Sequence, residues 1–138
     1  MRKDPLSLFN IKNKVIILTG SSGYLGTEYA HALSKLHANV VLVDYKNKKN
    51  KQLEADLKKR YKTRPMSFDI DISNQGSIKD LTKKVLKKYK KIDVLINNAG
   101  IGFTGPVEEI LIKDVKKVFD TNFFGQIDLI QKVLPVMR

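Results

Sequence analysis

VIILTGSSGYLGTEYA, Val15 to Ala30, passes from a run of strand-forming residues through three glycines into a stretch with helical spacing, and that order decides the fold. Val15 to Thr19 is almost continuously apolar, as a strand covered on both faces is. Working outward, three more short runs follow: Val40 to Asp44 (VVLVD), Met66 to Ile70 (MSFDI) and Ile92 to Asn97 (IDVLIN). Between them lie Tyr24 to Leu36, about Lys48 to Tyr61 and about Asn74 to Tyr89, each long enough to cross over and return parallel. The resulting order, βαβαβαβ, predicts an α/β fold: a doubly wound parallel sheet with helices on both faces and right-handed crossovers. Ser73 is the expected N-cap of the third helix. Beyond the fourth strand, Val107 to Met137 reads mostly as helix, with Phe123, Ile127, Ile130, Leu134 and Met137 as an apolar stripe and Gly125 and Pro135 as weak points.

At 138 residues one domain, 1–138, is the expectation. Hydrophobic residues make up 42% and charged residues 29%, the balance of a globular protein, and no apolar run is long enough to span a bilayer. The N-terminal MRKDPLSLFNIKNK holds no apolar stretch of signal-peptide length, so a cytoplasmic location is expected. There is no cysteine, and His31 and His37 are the only soft-type zinc ligands available; no metal site is expected. The net charge of +12 is concentrated: from Tyr45 to Lys91 there are 16 Lys or Arg against 5 Asp or Glu, a net of +11. These lysines sit in KNKKNKQLEADLKKRYKTR and IKDLTKKVLKKYKK, where Leu53, Leu57 and Tyr61, and Ile78, Leu81, Val85 and Tyr89, recur at helical spacing. They read first as the solvated faces of two amphipathic helices, with a polyanion-binding surface as the alternative; nucleic acid is not an expected partner.

Gly20, Gly23 and Gly26 stand directly between the first strand and the first helix, the context a dinucleotide-binding turn requires. A turn leaving the strand needs backbone angles that a side chain opposes, and a pyrophosphate must approach the backbone at the positive end of the helix. Gly26 suits close packing of the helix on the sheet. An ordinary strand-to-helix turn is the competing reading. Asp44 tilts the balance, because it ends the second strand 18 residues beyond the last glycine, where a carboxylate accepts hydrogen bonds from the adenosine ribose. Its charge repels a 2′-phosphate, so NAD(H) is expected over NADP(H). Lys46, Lys48 and Lys49 just beyond pull the other way.

Three further motifs stand in order: DISN at Asp71 to Asn74, NNAG at Asn97 to Gly100, and Asn122 within KVFDTNFFG. Together with the glycine turn they resemble the short-chain dehydrogenase/reductase superfamily, over nearly the whole chain from LFNIKNKVIILTG to QKVLPVMR. The resemblance implies a Rossmann-type fold and hydride transfer between NAD(H) and a carbonyl or secondary alcohol. It implies that Gly20, Ser22, Tyr24 and Leu25 line the pyrophosphate, alongside Gly23 and Gly26, and that Asp71 and Ile72 contact the adenine. Asp71 is preferred to Asp69, since Asp69 falls within the third strand and Asp71 at its carboxyl end. Asn97, Asn98, Ala99 and Gly100 would brace the central sheet and face the ribose. Asn122 resembles the active-site asparagine, whose main chain helps hold a water in a proton relay at an interruption of the helix.

Two departures accompany the likeness. Members carrying NNAG usually show TGxxxGxG, whereas this turn reads TGxxGxxG with Tyr24 in the place of the middle glycine; that side chain has to project away from the pyrophosphate. The family also uses a tyrosine, a lysine four residues later that lowers its pKa, and an orienting serine. The one Tyr-x-x-x-Lys here, Tyr45 to Lys49, follows the second strand beside the ribose site and is not that motif. The catalytic Ser, Tyr and Lys are expected beyond Arg138, which makes the domain incomplete at its C-terminal end. A non-catalytic nucleotide-binding module, an inactive fragment and a basic interaction domain are the alternatives. In the family the helix that Asn122 to Met137 resembles packs between subunits, so a homo-oligomer acting on a small-molecule substrate is expected of a full-length form.

Overall fold

The computed structural model describes residues 7, 9–45 and 47–138. Lys46, one of the three lysines weighed against Asp44, lies outside the described residues. Four parallel strands, β1 (Val15–Thr19), β2 (Asn39–Asp44), β3 (Met66–Asp69) and β4 (Val94–Ile96), form one sheet in the order β3-β2-β1-β4. The connecting helices are α1 (Tyr24–Lys35), α2 (Asn47–Tyr61) and α3 (Gln75–Tyr89), and after β4 come α4 (Ile112–Phe119) and α5 (Gly125–Met137), joined by a π-helical turn at Asp120–Phe124. This is the doubly wound α/β arrangement that the alternating pattern predicts.

The near-continuous apolarity of β1 and β2 has its cause in the two layers that cover them. Val15, Ile17, Val41 and Val43 point to one face, where Ile78, Leu81 and Val85 of α3 and Leu129 and Val133 of α5 close over them. Leu18, Val40 and Leu42 point to the other, against Ala30 of α1 and Leu53 and Leu57 of α2. Each such side chain taken fully out of water contributes about 1.5–3 kcal/mol. The lysine-rich helices are thus anchored by the stripes seen in the sequence, with Leu57, Ile78, Leu81 and Val85 completely buried.

Three local expectations change. Ser73 does not cap α3; the cap is Asn74, whose side chain accepts from the Gly76 N–H, while the Ser73 hydroxyl donates to Asp71. The helix is interrupted at Asn122, as expected: a π turn carries that residue and the Gly125 N–H reaches back to the Asp120 carbonyl. Gly125 is also no weakness: it is buried, and a Cβ there would stand 2.5 Å from the Ile72 carbonyl oxygen, so the absent side chain lets α5 lie against the segment that follows β3. The stripe of α5 is corrected too. Gly125, Leu129 and Val133 face the core at every fourth position, whereas Phe123, Ile127, Leu134 and Met137 of the expected stripe are substantially exposed. The segment is apolar on two sides, and periodicity alone does not say which of them the sheet takes.

Candidate functional site

The chain runs β1-β2-β3 toward one edge and then returns to place β4 on the other side of β1, so a crevice opens at the carboxyl ends of the strands, where the order reverses. Gly20 leaves β1 with φ +63°, a conformation that side chains oppose, and a Cβ there would meet the Ala99 Cα at 2.8 Å. Gly26 is the tighter constraint. Its Cβ would lie 2.0 Å from the Gly20 carbonyl oxygen and 2.8 Å from the Ser21 Cα, so the first turn of α1 packs on the backbone of the glycine turn itself. Gly23 caps α1 without a side-chain hydrogen bond, and no acidic residue stands in the first turn. The amino end of α1 therefore presents N–H groups that this chain's side chains do not occupy, with the dipole favouring an anion.

Asp44 is buried at the end of β2, and one of its carboxylate oxygens accepts from the Ser22 N–H at 2.9 Å. That bond makes the acid part of the turn's architecture as well as a charge in the crevice. Below it, Asn50 of α2 is fully buried; its Oδ1 accepts from the Ser21 hydroxyl at 2.7 Å and its Nδ2 donates to the carbonyls of Leu42 and Phe68. One amide thus ties the glycine turn, β2 and β3 together.

On the β4 side, Thr19 holds the loop. Its buried Oγ1 accepts from the N–H groups of Asn98 at 3.0 Å and Ala99 at 2.9 Å and donates to the Ile96 carbonyl. The Asn98 side chain returns the contact by donating to the carbonyls of Thr19 and Gly20. Asn122 spends both ends of its amide on Ile101, accepting from its N–H and donating to its carbonyl, each at 2.8 Å. Gln126, one turn on, donates to the Ala99 carbonyl at 2.9 Å. The π turn and the start of α5 therefore brace the loop that follows β4, and Asn122 does so with its side chain, leaving its main chain free of that task.

These elements enclose a cleft of about 330 Å³ lined by Gly20, Gly23, Tyr24, Leu25, Gly26, Asp44, Asp71, Ile72, Asn98, Ala99 and Gly100 among the residues singled out in the sequence. Ser22, Asn97 and Asn122 do not line it; Ser22 acts through Asp44, and Asn122 through Ile101. Asn97 has a buried Oδ1 without a hydrogen-bond partner among the described residues. Tyr24 is 88% exposed, so its ring projects to the rim as expected. Asp71 stands beside the cleft with one oxygen engaged by Ser73, while Asp69 pairs in register with Asp44 inside the sheet. Tyr45 also lines the cleft, at the β2 end.

The sequence profile of the short chain dehydrogenase family matches residues 14–138. The chain belongs to that family. Among its curated relatives, dehydrogenase/reductase SDR family member 7B of Danio rerio is 32% identical over 133 residues, covering 93% of this chain and 43% of the relative. Member 7C of Mus musculus is 34% identical over 136 residues, covering 92% and 42%. The chain thus spans less than half the length of these relatives. Among solved structures, NAD+-bound xylitol dehydrogenase superposes with a TM-score of 0.87 at 25% identity, over 92% of this chain and 49% of that one. L-sorbose reductase from Gluconobacter frateurii, complexed with NADPH and L-sorbose, gives 0.88 at 23% identity and shares the fold, over 93% and 49%.

For a short-chain dehydrogenase, the residues that sequence reasoning missed are instructive. Thr19, Asn50 and Gln126 are single polar side chains in elements otherwise read for apolar content. Their signal is a polar residue at a position the pattern assigns to the core: Thr19 ends an apolar strand, and Asn50 stands three residues before Leu53 on the buried face of α2.

Proposed function

We propose that residues 1–138 form the NAD(P)-binding unit of a short-chain dehydrogenase that moves hydride between a nicotinamide and a carbonyl or secondary alcohol, with NAD(H) preferred. The observation that carries this reading is the backbone cradle at Gly20 and Gly26 beneath the uncapped amino end of α1, with the buried Asp44 beside it. A Cβ would fill the cradle, so the site fits a group that needs the main chain itself, as a pyrophosphate does. Tyr24 and Leu25 would border the pyrophosphate with their backbone, Asp44 would accept from the ribose hydroxyls, and Asp71 and Ile72 would flank the adenine. Asn98, Ala99 and Gly100 would face the second ribose. When bound, the nicotinamide supplies the hydride acceptor or donor. Asn122 acts by position, fixing Ile101 and the loop after β4 with its side-chain amide. The tyrosine, lysine and serine of the family's chemistry are not among these 138 residues, since the single Tyr-x-x-x-Lys lies at the β2 end of the cleft. The substrate is a small molecule with an alcohol or carbonyl group.

Cofactor preference rests on charge. Asp44→Asn keeps an acceptor for the Ser22 N–H and removes the negative charge, so it isolates the electrostatic part of the discrimination. Two unit charges about 4 Å apart near a protein surface interact by about 4 kcal/mol. The expected outcome is a shift of the NADH to NADPH affinity ratio toward NADPH by about a hundredfold, or ~2.7 kcal/mol, measured by fluorescence titration of each reduced cofactor. An unchanged ratio contradicts the assignment of Asp44.

We also propose self-association through the outward stripe of α4, the π turn and α5, where Phe119, Phe123, Phe124 and Ile127 are exposed together. Sedimentation velocity should find a dimer or larger species, and Ile127→Glu should shift it to monomer. A monomer at every concentration in the unsubstituted protein rules this out.

A further inference from the structure

The opposite edge of the sheet, where the strands begin, holds a second cleft of about 460 Å³. Its walls come from the segments that lead into β1, β2 and β3 and from the end of α3. Lys12, Lys62, Arg64, Lys88 and Lys91 line it, and no aspartate or glutamate does. Lys91 is paired with Asp93 at 2.8 Å, and Lys88 donates to the Pro65 carbonyl at 3.0 Å. Lys12, Lys62 and Arg64 have no carboxylate partner among the described residues. Burial, with Arg64 and Lys58 adding like charge against the pull of Glu54, holds the Lys88 ammonium below the ordinary lysine range.

The ordinary explanation for basic residues at helix ends is the dipole. Three helices end near this edge, and each carboxyl end carries roughly −0.5 of a charge. Five cations exceed that by a wide margin. His37 follows α1 at φ +60° and Lys62 follows α2 at φ +54°, both in the left-handed region where glycine is favoured and other residues sit at a cost of about 1–2 kcal/mol. A glycine would end each helix more favourably, and the dipole could be met from a neighbouring position. Lys90 ends α3 in the same way at φ +66° without lining the cleft, whereas His37 and Lys62 line it, as does Asn13 at φ +61°. Thr63, between Lys62 and Arg64, has a hydroxyl with no hydrogen-bond partner among the described residues.

We propose that this cleft is an anion site, distinct from the one at the carboxyl ends of the strands, that takes a compact ligand bearing two or more linked phosphate groups. Concavity and convergence of cations fit a short chain of phosphates. They do not fit a duplex, which needs a projecting helix or ribbon to enter a groove. Single strands bind by stacking on open aromatic faces; here the Tyr89 hydroxyl donates to the Arg64 carbonyl and the Lys88 Nζ lies 5.0 Å from the ring centroid, so that ring is committed to the wall.

Inorganic tripolyphosphate is the probe, titrated calorimetrically into the protein at two salt concentrations. The expected result is saturable binding that weakens with salt, with Lys62 and Lys88 protected from acetylation by mass spectrometry and the exposed Lys48 and Lys49 on α2 not protected. The Lys62→Gly, Arg64→Gln double variant should lose affinity by at least about tenfold. Lys62→Gly alone should keep or raise the thermal midpoint, because glycine is at ease at that φ, which separates loss of the site from loss of the fold. Absent binding, affinity unchanged in the double variant, or tighter binding of a mixed-sequence RNA oligonucleotide than of tripolyphosphate each overturns the proposal.

Discussion

Gly26→Ala is expected to destabilise the protein by about 3 kcal/mol and to lower NADH affinity at least about a hundredfold. The added Cβ would sit 2.0 Å from the Gly20 carbonyl oxygen, against backbone that is itself fixed by the left-handed φ of Gly20 and by Ala99 on the far side. Nothing in that arrangement is the flexible end of a side chain, so α1 has to lift from the turn. Lifting it moves the amino end of the helix away from where an anion would be held, which links the loss of stability to the loss of binding. Two glycines provide the contrast. Gly23→Ala meets only the Gly20 carbonyl oxygen at 3.3 Å and has an ordinary φ of −74°, and Gly102→Ala meets nothing within 4 Å. Both should stay within about 1 kcal/mol of the unsubstituted protein in urea denaturation. If Gly26→Ala is equally mild, the close approach is not a constraint on the fold.

Thr19→Val comes second in size. Valine matches threonine in shape but cannot accept the N–H groups of Asn98 and Ala99, and Thr19 is completely buried, so water cannot replace the lost bonds. Leaving a buried donor unpaired costs about 1–3 kcal/mol; the Asn98 N–H keeps the Ile96 carbonyl at 3.1 Å, so the Ala99 N–H alone loses its acceptor and ~1–3 kcal/mol is the expected loss in urea denaturation. Thr19→Ser keeps the hydroxyl and should recover most of it, since only one methyl group is then missing. A valine variant as stable as the threonine protein would show that the loop after β4 is held by its other contacts, chiefly the Asn98 side chain.

The sheet and its helices were legible because burial on both faces leaves a mark in the sequence: VIILT and VVLVD have no polar side, and the lysine-rich helices carry single apolar stripes. The glycine turn and Asp44 were legible for a similar reason, as a strand, a turn and a second strand end at fixed spacing can be read without knowing the packing. What stayed hidden depended on contacts between elements distant in sequence. Thr19 reaches Asn98 and Ala99 across 79 and 80 positions, and Asn50 joins the turn to two strands, which no local pattern encodes. The α5 stripe failed because both of its faces are apolar, and only the position of α3 and the sheet selects Leu129 and Val133. Ser73 lost the cap to Asn74 because Asp71, two residues earlier, accepts from the Ser73 N–H and hydroxyl.

The central claim is that the crevice at the carboxyl ends of the strands binds a dinucleotide through the glycine turn and Asp44. Titrating NADH into the protein while following nicotinamide fluorescence tests it most directly, alongside the Gly26→Ala and Lys62→Gly variants. The account predicts saturable binding to one site per chain, lost in Gly26→Ala and retained in Lys62→Gly, whose substitution lies at the opposite edge of the sheet. A sample that unfolds cooperatively yet gives no saturable NADH signal, or binding that survives Gly26→Ala undiminished, would contradict it.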